Sequence, residues 1–191
     1  MKALREAAPG CRGCPLHEDA TQVVFGRGPA RAETMLVGEQ PGDREDVEGE
    51  PFVGPAGRVL GEALERVGVD RRTVYVTNAV KHFKFIQRGK RRIHQRPGTM
   101  EMNACAPWLD AELAVVKPRL LIALGATAAR ALYGTKVKVM RDRGELVESD
   151  RAPLATVTIH PSALLRLEGD ERRLGHAEFE RDLARAFERL G

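Results

Sequence analysis

Apolar residues along this chain come in two kinds of block. Short apolar runs recur at 34–38 (TMLVG), 73–80 (TVYVTNAV), 119–125 (RLLIALG) and 154–160 (LATVTIH), and three of the four end in glycine or a polar residue. They predict strands buried on both faces, and the second is rich in β-branched residues. Between them the apolar positions switch to helical spacing. In 57–69, Val59, Leu60, Leu64 and Val67 fall on one face. Residues 99–116 read as a helix, with a break or restart expected at Pro107. The segment 126–134 is a further helix, and 171–190 is amphipathic, with Leu174, Phe179, Leu183 and Phe187 on one face.

Strands separated by helices predict a three-layer α/β/α sandwich around a mostly parallel four-stranded sheet. The length of 191 residues fits a single domain, 1–191, with no internal repeat and no low-complexity linker. In such sheets ligands bind at the carboxyl ends of the strands. Four segments arrive there: Gly38-Glu39-Gln40, Asn78, Gly125 and His160. The Gly/Pro-rich loop 37–58 has neither the GK[ST] ending of a nucleoside-triphosphate loop nor a GxGxxG fingerprint, which excludes those two classes. It carries Glu39, Gln40, Asp43 and Phe52. On residue pattern alone Phe52 is a core anchor and Asn78 a strand-end turn residue. Glu39 and His160 fit a site as well as they fit a surface carboxylate and a turn cap.

Composition and charge narrow the class. A hydrophobic fraction of 42% and a mean hydropathy of −0.34 suit a soluble globular protein. No apolar run approaches the roughly 20 residues of a membrane helix. The first residues lack the apolar core of a secretory signal, so a cytoplasmic location without a membrane partner is expected. The net charge of +4 is uneven. Residues 81–96 hold Lys81, Lys84, Arg88, Lys90, Arg91, Arg92 and Arg96 and no acid. Outside that stretch acidic residues outnumber basic ones. A local patch of this kind suggests a polyanion docking site, with a solvated loop as the plainer reading. Within it, GKRRIHQRPG (89–98) sets cations against His94 on what reads as one exposed loop. Three cysteines, Cys11, Cys14 and Cys105, include a C-x-x-C pair, which inside a cell is more often a metal or redox motif than a disulfide. His17 and His176 join no constellation and read as surface residues.

Five motifs occur in order: GEQPG (38–42), PFVGPAGR (51–58), VTNAVKH (76–82), KRRIH (90–94) and HPSALLR (160–166). Together they resemble the iron–sulfur uracil-DNA glycosylases, and more narrowly the UdgX type, which the KRRIH insertion marks. The resemblance runs from about Cys11 to the final helix. It implies a [4Fe–4S] cluster held by Cys11, Cys14, Cys105 and His82, the histidine standing where related proteins have a fourth cysteine. Such a cluster would tie the N-terminal segment to the sheet. A Cys₃His zinc site is the alternative, because thiolates suit both.

The resemblance also implies a pocket for uracil extruded from DNA, single- or double-stranded. A monomer is expected. Phe52 would stack on the base, Asn78 would read its edge, and Gln40 and Asp43 would line the same loop. His160 would hydrogen-bond uracil O2 more strongly as charge builds on the leaving base. Ser162 and Arg166 would hold phosphates, and Leu164 or Leu165 would wedge into the gap left in the stack. His94 would capture the sugar at C1′ and form a covalent adduct, with Glu39 taking its proton. Lys90, Arg91 and Arg92 would attract the DNA backbone and lower the pKa of His94. Two rivals share this pocket, a turnover glycosylase and a non-catalytic uracil-DNA sensor. A zinc-bearing single-strand binder would show no preference for uracil.

Overall fold

A computed structural model describes residues 1–191. Six strands form: β1 (Thr34–Gly38), β2 (Tyr75–Asn78), β3 (Phe85–Arg88), β4 (Arg91–His94), β5 (Leu120–Leu124) and β6 (Leu154–Thr158). The helices are α1 (Lys2–Ala7), α2 (Leu16–Asp19), α3 (Asp43–Glu48), α4 (Pro55–Arg66) and α5 (Thr99–Val116). They continue with α6 (Ala126–Tyr133), α7 (Val139–Asp142), α8 (Pro161–Leu164) and α9 (Gly169–Glu188). The four expected strands make one parallel sheet in the order β2-β1-β5-β6.

Alternation along each strand builds the two outer layers. Met35, Val37, Leu121 and Ala123 pack on one side with Leu109, Leu113, Ala128 and Leu132 of α5 and α6. Leu36, Leu120, Ile122 and Leu124 pack on the other with Leu60, Leu64, Phe179 and Leu183 of α4 and α9. With both faces covered, β1 and β5 are buried at every position. The outer edge of β2 is closed by the N-terminal segment, where Arg27 and Val76 exchange both backbone hydrogen bonds at 2.8 Å. No helix is long and apolar enough to cross a membrane.

Three expectations change. Pro107 does not break α5, which runs unbroken from Thr99 to Val116. A proline inside a helix costs about 3 kcal/mol, and burial of Leu109, Leu113 and Val116 offsets it at about 1.5–3 kcal/mol per side chain. Leu174 is 65% exposed and leaves the apolar face of α9 to Phe179, Leu183 and Ala186. Most consequentially, 89–98 is not a plain loop. β3 and β4 form an antiparallel hairpin that turns at Gly89, whose φ of +59° favours a residue without Cβ.

Candidate active site

Register sets the floor of the site. Gly38 pairs with Asn78 at the carboxyl ends of β1 and β2, and His160 follows the end of β6. A pocket of about 380 Å³ opens there, lined among others by Gln40, Phe52, Asn78, His94, His160 and Leu165. Glycine is required at position 38, because a Cβ would stand 2.4 Å from Asn78 Oδ1 and 2.7 Å from Phe52 Cζ. Asn78 is 2% exposed, and its Oδ1 has no hydrogen-bond partner. A buried acceptor left unpaired costs about 1–3 kcal/mol, so this atom is built for a donor that arrives from outside.

Phe52 reaches the pocket through a strained backbone, with φ at +59°. Such a conformation costs about 1–3 kcal/mol in a non-glycine residue and persists where the surroundings enforce it. Two features do so. Gly57 lets α4 approach closely, since a Cβ there would meet Phe52 O at 1.8 Å. Glu45, buried, accepts from Gly42 N at 3.1 Å and Gly54 N at 2.9 Å and so spans the loop. The core-anchor reading and the pocket reading of Phe52 both hold, because the ring packs on the α4–α9 layer and lines the pocket. Its centroid lies 6.1 Å from that of His160.

His160 caps α8. Its Nδ1 accepts from Ser162 N at 3.2 Å and lies 2.7 Å from Ser162 Oγ. A ring nitrogen that accepts from an amide carries no proton, so Nε2 bears the hydrogen and is a donor. Burial lowers the pKa of His160 to about 4, and His94 and Arg166 add to that against the opposing pull of Glu39. The ring is therefore neutral at pH 7. Ser162 is engaged by His160, a different role from the phosphate contact expected of it. Of the leucine pair, Leu164 is in the core and Leu165, 45% exposed, lines the pocket.

His94 ends β4 with its side chain 47% exposed and Nε2 3.4 Å from Glu39 Oε1. Glu39 is fixed at its other oxygen, which accepts from Thr127 Oγ1 and lies 3.5 Å from Arg96 Nε. Burial lowers the pKa of His94, Glu39 opposes the shift, and Arg166 and Arg96 reinforce it. The direction matches the sequence expectation, but the cause does not. Lys90, Arg91 and Arg92 are not among the groups responsible.

Arg92 is also displaced from its expected role. It points inward, 2.5 Å from both Asp43 and Asp46, with its side chain 18% exposed. The guanidinium lies over Phe83 at 5.5 Å and Phe85 at 5.2 Å. Arg92 thus fastens the hairpin to α3 and is not available to phosphate. Asp43 lines the pocket and serves the same fastening. Gln40 clamps the hairpin base, donating to Lys84 O at 3.1 Å and Gln95 O at 3.0 Å and accepting from Lys84 N at 3.1 Å. Its side chain holds the strand that carries His94. Lys90, Arg91 and Arg166 are exposed. Thr127 and Glu45 were not among the expected site residues, and of the two only Thr127 carried a signal, sitting in the first turn after the strand-ending Gly125. Gly38 was expected at the strand end and Arg96 in the basic patch, without the contacts the fold gives them.

The three cysteines lie near one another outside the pocket lining. Cys14 and Cys105 are buried together with Val80 and Leu16. Cys105 Sγ accepts from Lys81 N at 3.4 Å, and Cys11 Sγ accepts from Trp108 Nε1 at 3.2 Å. Burial raises the pKa of Cys14 and pushes that of Cys105 up to about 11. The neighbouring His82 is buried with its Nδ1 unpartnered. No three His, Cys, Asp or Glu side chains converge tightly enough for one ion. A four-iron cluster asks less, because each ligand binds its own iron. Three sulfurs and an orphaned imidazole nitrogen fit that donor requirement. The loop residues and the donor set together define an α/β protein with a catalytic-type pocket at the carboxyl ends of a parallel sheet.

The comparisons give the family. The model of the uracil DNA glycosylase superfamily matches residues 25–184. The type-4 uracil-DNA glycosylase of Pyrobaculum aerophilum is 36% identical over 98% of this chain and 93% of its own length. That of Thermotoga maritima is 36% identical over 91% and 87%, and that of Archaeoglobus fulgidus 34% over 81% and 78%. The chain belongs to the uracil-DNA glycosylase superfamily of DNA-repair enzymes.

Proposed function

We propose that this protein excises uracil from DNA and captures the resulting sugar on His94. The observation that carries uracil excision is Asn78 Oδ1, a buried acceptor without a partner beside the ring of Phe52. Uracil N3–H supplies the missing donor, and the Asn78 amide NH₂ donates to O4. Cytosine presents the reverse pattern and would leave both groups unpaired, a mismatch that discriminates strongly.

The chemistry follows from the two histidines. The C1′–N1 bond breaks with its electron pair going to the base. The Nε2–H of neutral His160 is the donor suited to uracil O2, where that charge collects. A lone pair of the neutral His94 ring forms the new bond to C1′, and the proton on its other nitrogen departs. Glu39 is the carboxylate within reach of that ring. The resulting N-glycosyl imidazole is neutral and has a poor leaving group, so the adduct persists and each molecule acts once. Cys11, Cys14, His82 and Cys105 would hold a [4Fe–4S] cluster, whose chemistry here is structural bonding between the N-terminal segment and the β2 end.

Denaturing electrophoresis after mixing with uracil-DNA tests this. The expected result is a complex that survives boiling in detergent, with one uracil released per protein and none formed on thymine DNA. His94→Ser should lose the complex and keep uracil release, because water enters the space left by the imidazole. Many uracils released per wild-type molecule would establish a turnover glycosylase instead. No uracil release would establish a sensor.

A further inference from the structure

The two faces of the β3–β4 hairpin have different surroundings. Its register pairs Phe85 with His94, Ile86 with Ile93, Gln87 with Arg92 and Arg88 with Arg91. Alternation sends Phe85, Gln87, Arg92 and His94 to the face that turns toward α3 and the pocket. Ile86, Arg88, Arg91 and Ile93 share the opposite face. That face is open, with Ile86 50% and Ile93 38% exposed. Single exposed aliphatic residues need no explanation, but this is a directly opposed pair forming one apolar ridge on a hairpin only two strands wide.

The charges sort the same way. Of the seven cations in 81–96, Lys81 is buried against Glu112, Lys84 pairs with Glu101, Arg92 with Asp43 and Asp46, and Arg96 with Glu39. Arg88, Lys90 and Arg91 have no acidic partner, and all three are exposed on the outer face or at the turn. The net charge of the patch is therefore presented where the isoleucines are. On the other rim, Leu165 is exposed and lines the pocket.

We infer that the outer face of the hairpin docks on duplex DNA beside the flipped nucleotide. Arg88, Lys90 and Arg91 hold phosphates. The Ile86–Ile93 ridge packs against the base step opened by extrusion, as aliphatic wedges do in kinked duplexes. Charge selects the occupant, since three unpaired cations around an apolar ridge complement a polyanion with apolar base faces. Ile93 precedes His94 in β4, so one two-stranded element carries the ridge on its outer face and the capturing group on its pocket face. The inference rests on the uracil-excising reading for the position of the flipped base, and on the hairpin alone for the docking.

The test measures affinity against salt for two duplexes of one sequence, carrying either thymine or a non-cleavable 2′-fluoroarabino-uracil nucleotide, and for the uracil-analogue strand alone. Arg88→Ala with Arg91→Ala should flatten the log–log salt slope by about one to two units. Ile86→Thr with Ile93→Thr keeps β-branched side chains in the strands, so the hairpin should stay folded and the melting temperature should hold. It should weaken binding of the uracil duplex about tenfold without changing the slope. Threonine variants within twofold of wild type on that duplex would overturn the ridge. A loss confined to single-stranded DNA would assign the ridge to unstacked bases and overturn the duplex reading. An unchanged slope in the arginine variant would overturn the phosphate contacts. If wild type bound both duplexes alike, the uracil reading would fail, while losses on both in the variants would still support docking.

Discussion

Gly38→Ala puts the base-reading geometry under direct test without deleting any functional group. The added methyl would stand 2.4 Å from Asn78 Oδ1 and 2.7 Å from Phe52 Cζ. Carbon normally keeps roughly 3.3–3.5 Å from such atoms, so about 1 Å must be yielded. Both neighbours touch position 38 through side-chain ends, and these are the two groups that would hold uracil. The β1–β2 ladder can persist while they part. A misplacement of about 1 Å costs about 100-fold in rate. Overpacking costs about 1–3 kcal/mol of stability, and each kcal/mol lowers the melting temperature of a domain this size by about 2–4 °C. Single-turnover release of uracil and a thermal melt read the two effects separately. Gly61→Ala is the control, because nothing lies within 4 Å of its Cβ position and it sits inside α4. It should keep full activity and gain about 0.5–1 kcal/mol. Gly38→Ala with uracil release within threefold of wild type would refute the geometry.

Other perturbations reach different parts of the site. Arg166→Gln removes a cation that lowers the pKa of His94, so the pKa should rise. A protonated imidazole is not a nucleophile, so the acid limb of adduct formation should move to higher pH; a rate–pH profile with an unmoved limb would exclude Arg166 from this role. The pure protein should be straw to brown, and His82→Ala should retain less cluster in visible absorbance; a colourless protein loaded with one zinc would reverse the assignment. Glu112→Ala strands Lys81, which lies 2.5 Å from Glu112 with a side chain 1% exposed. It should cost about 3–5 kcal/mol, or roughly 10 °C in melting temperature, and a shift under 2 °C by calorimetry would contradict the buried-pair account.

How much of this was legible in the chain depends on the range of the physics involved. Strands and the amphipathic helices are written in local periodicity, so the four-stranded sheet and its two covering layers followed from patterns such as TMLVG and RLLIALG. The strand-end segments carrying Glu39, Asn78 and His160 followed in turn, because a parallel sheet places its carboxyl ends on one side. Local signals misled where a tertiary term outweighed them. Pro107 stays helical because the buried face of α5 holds it, and Leu174 lies beyond the layer that its spacing seemed to join.

Partner choice was not legible at all. Seven cations in one run look alike in a sequence, yet the fold commits four of them to carboxylates as distant as Glu112 and leaves three free. Which three was decided by hairpin parity, a one-residue property that turns Arg91 outward and Arg92 inward. The lowered pKa of His94 likewise comes from burial, then from Arg166 on a distant segment and from Arg96 two residues on, and not from the run Lys90, Arg91 and Arg92 just before it. Charges act through space, and only the folded chain determines which of them are near.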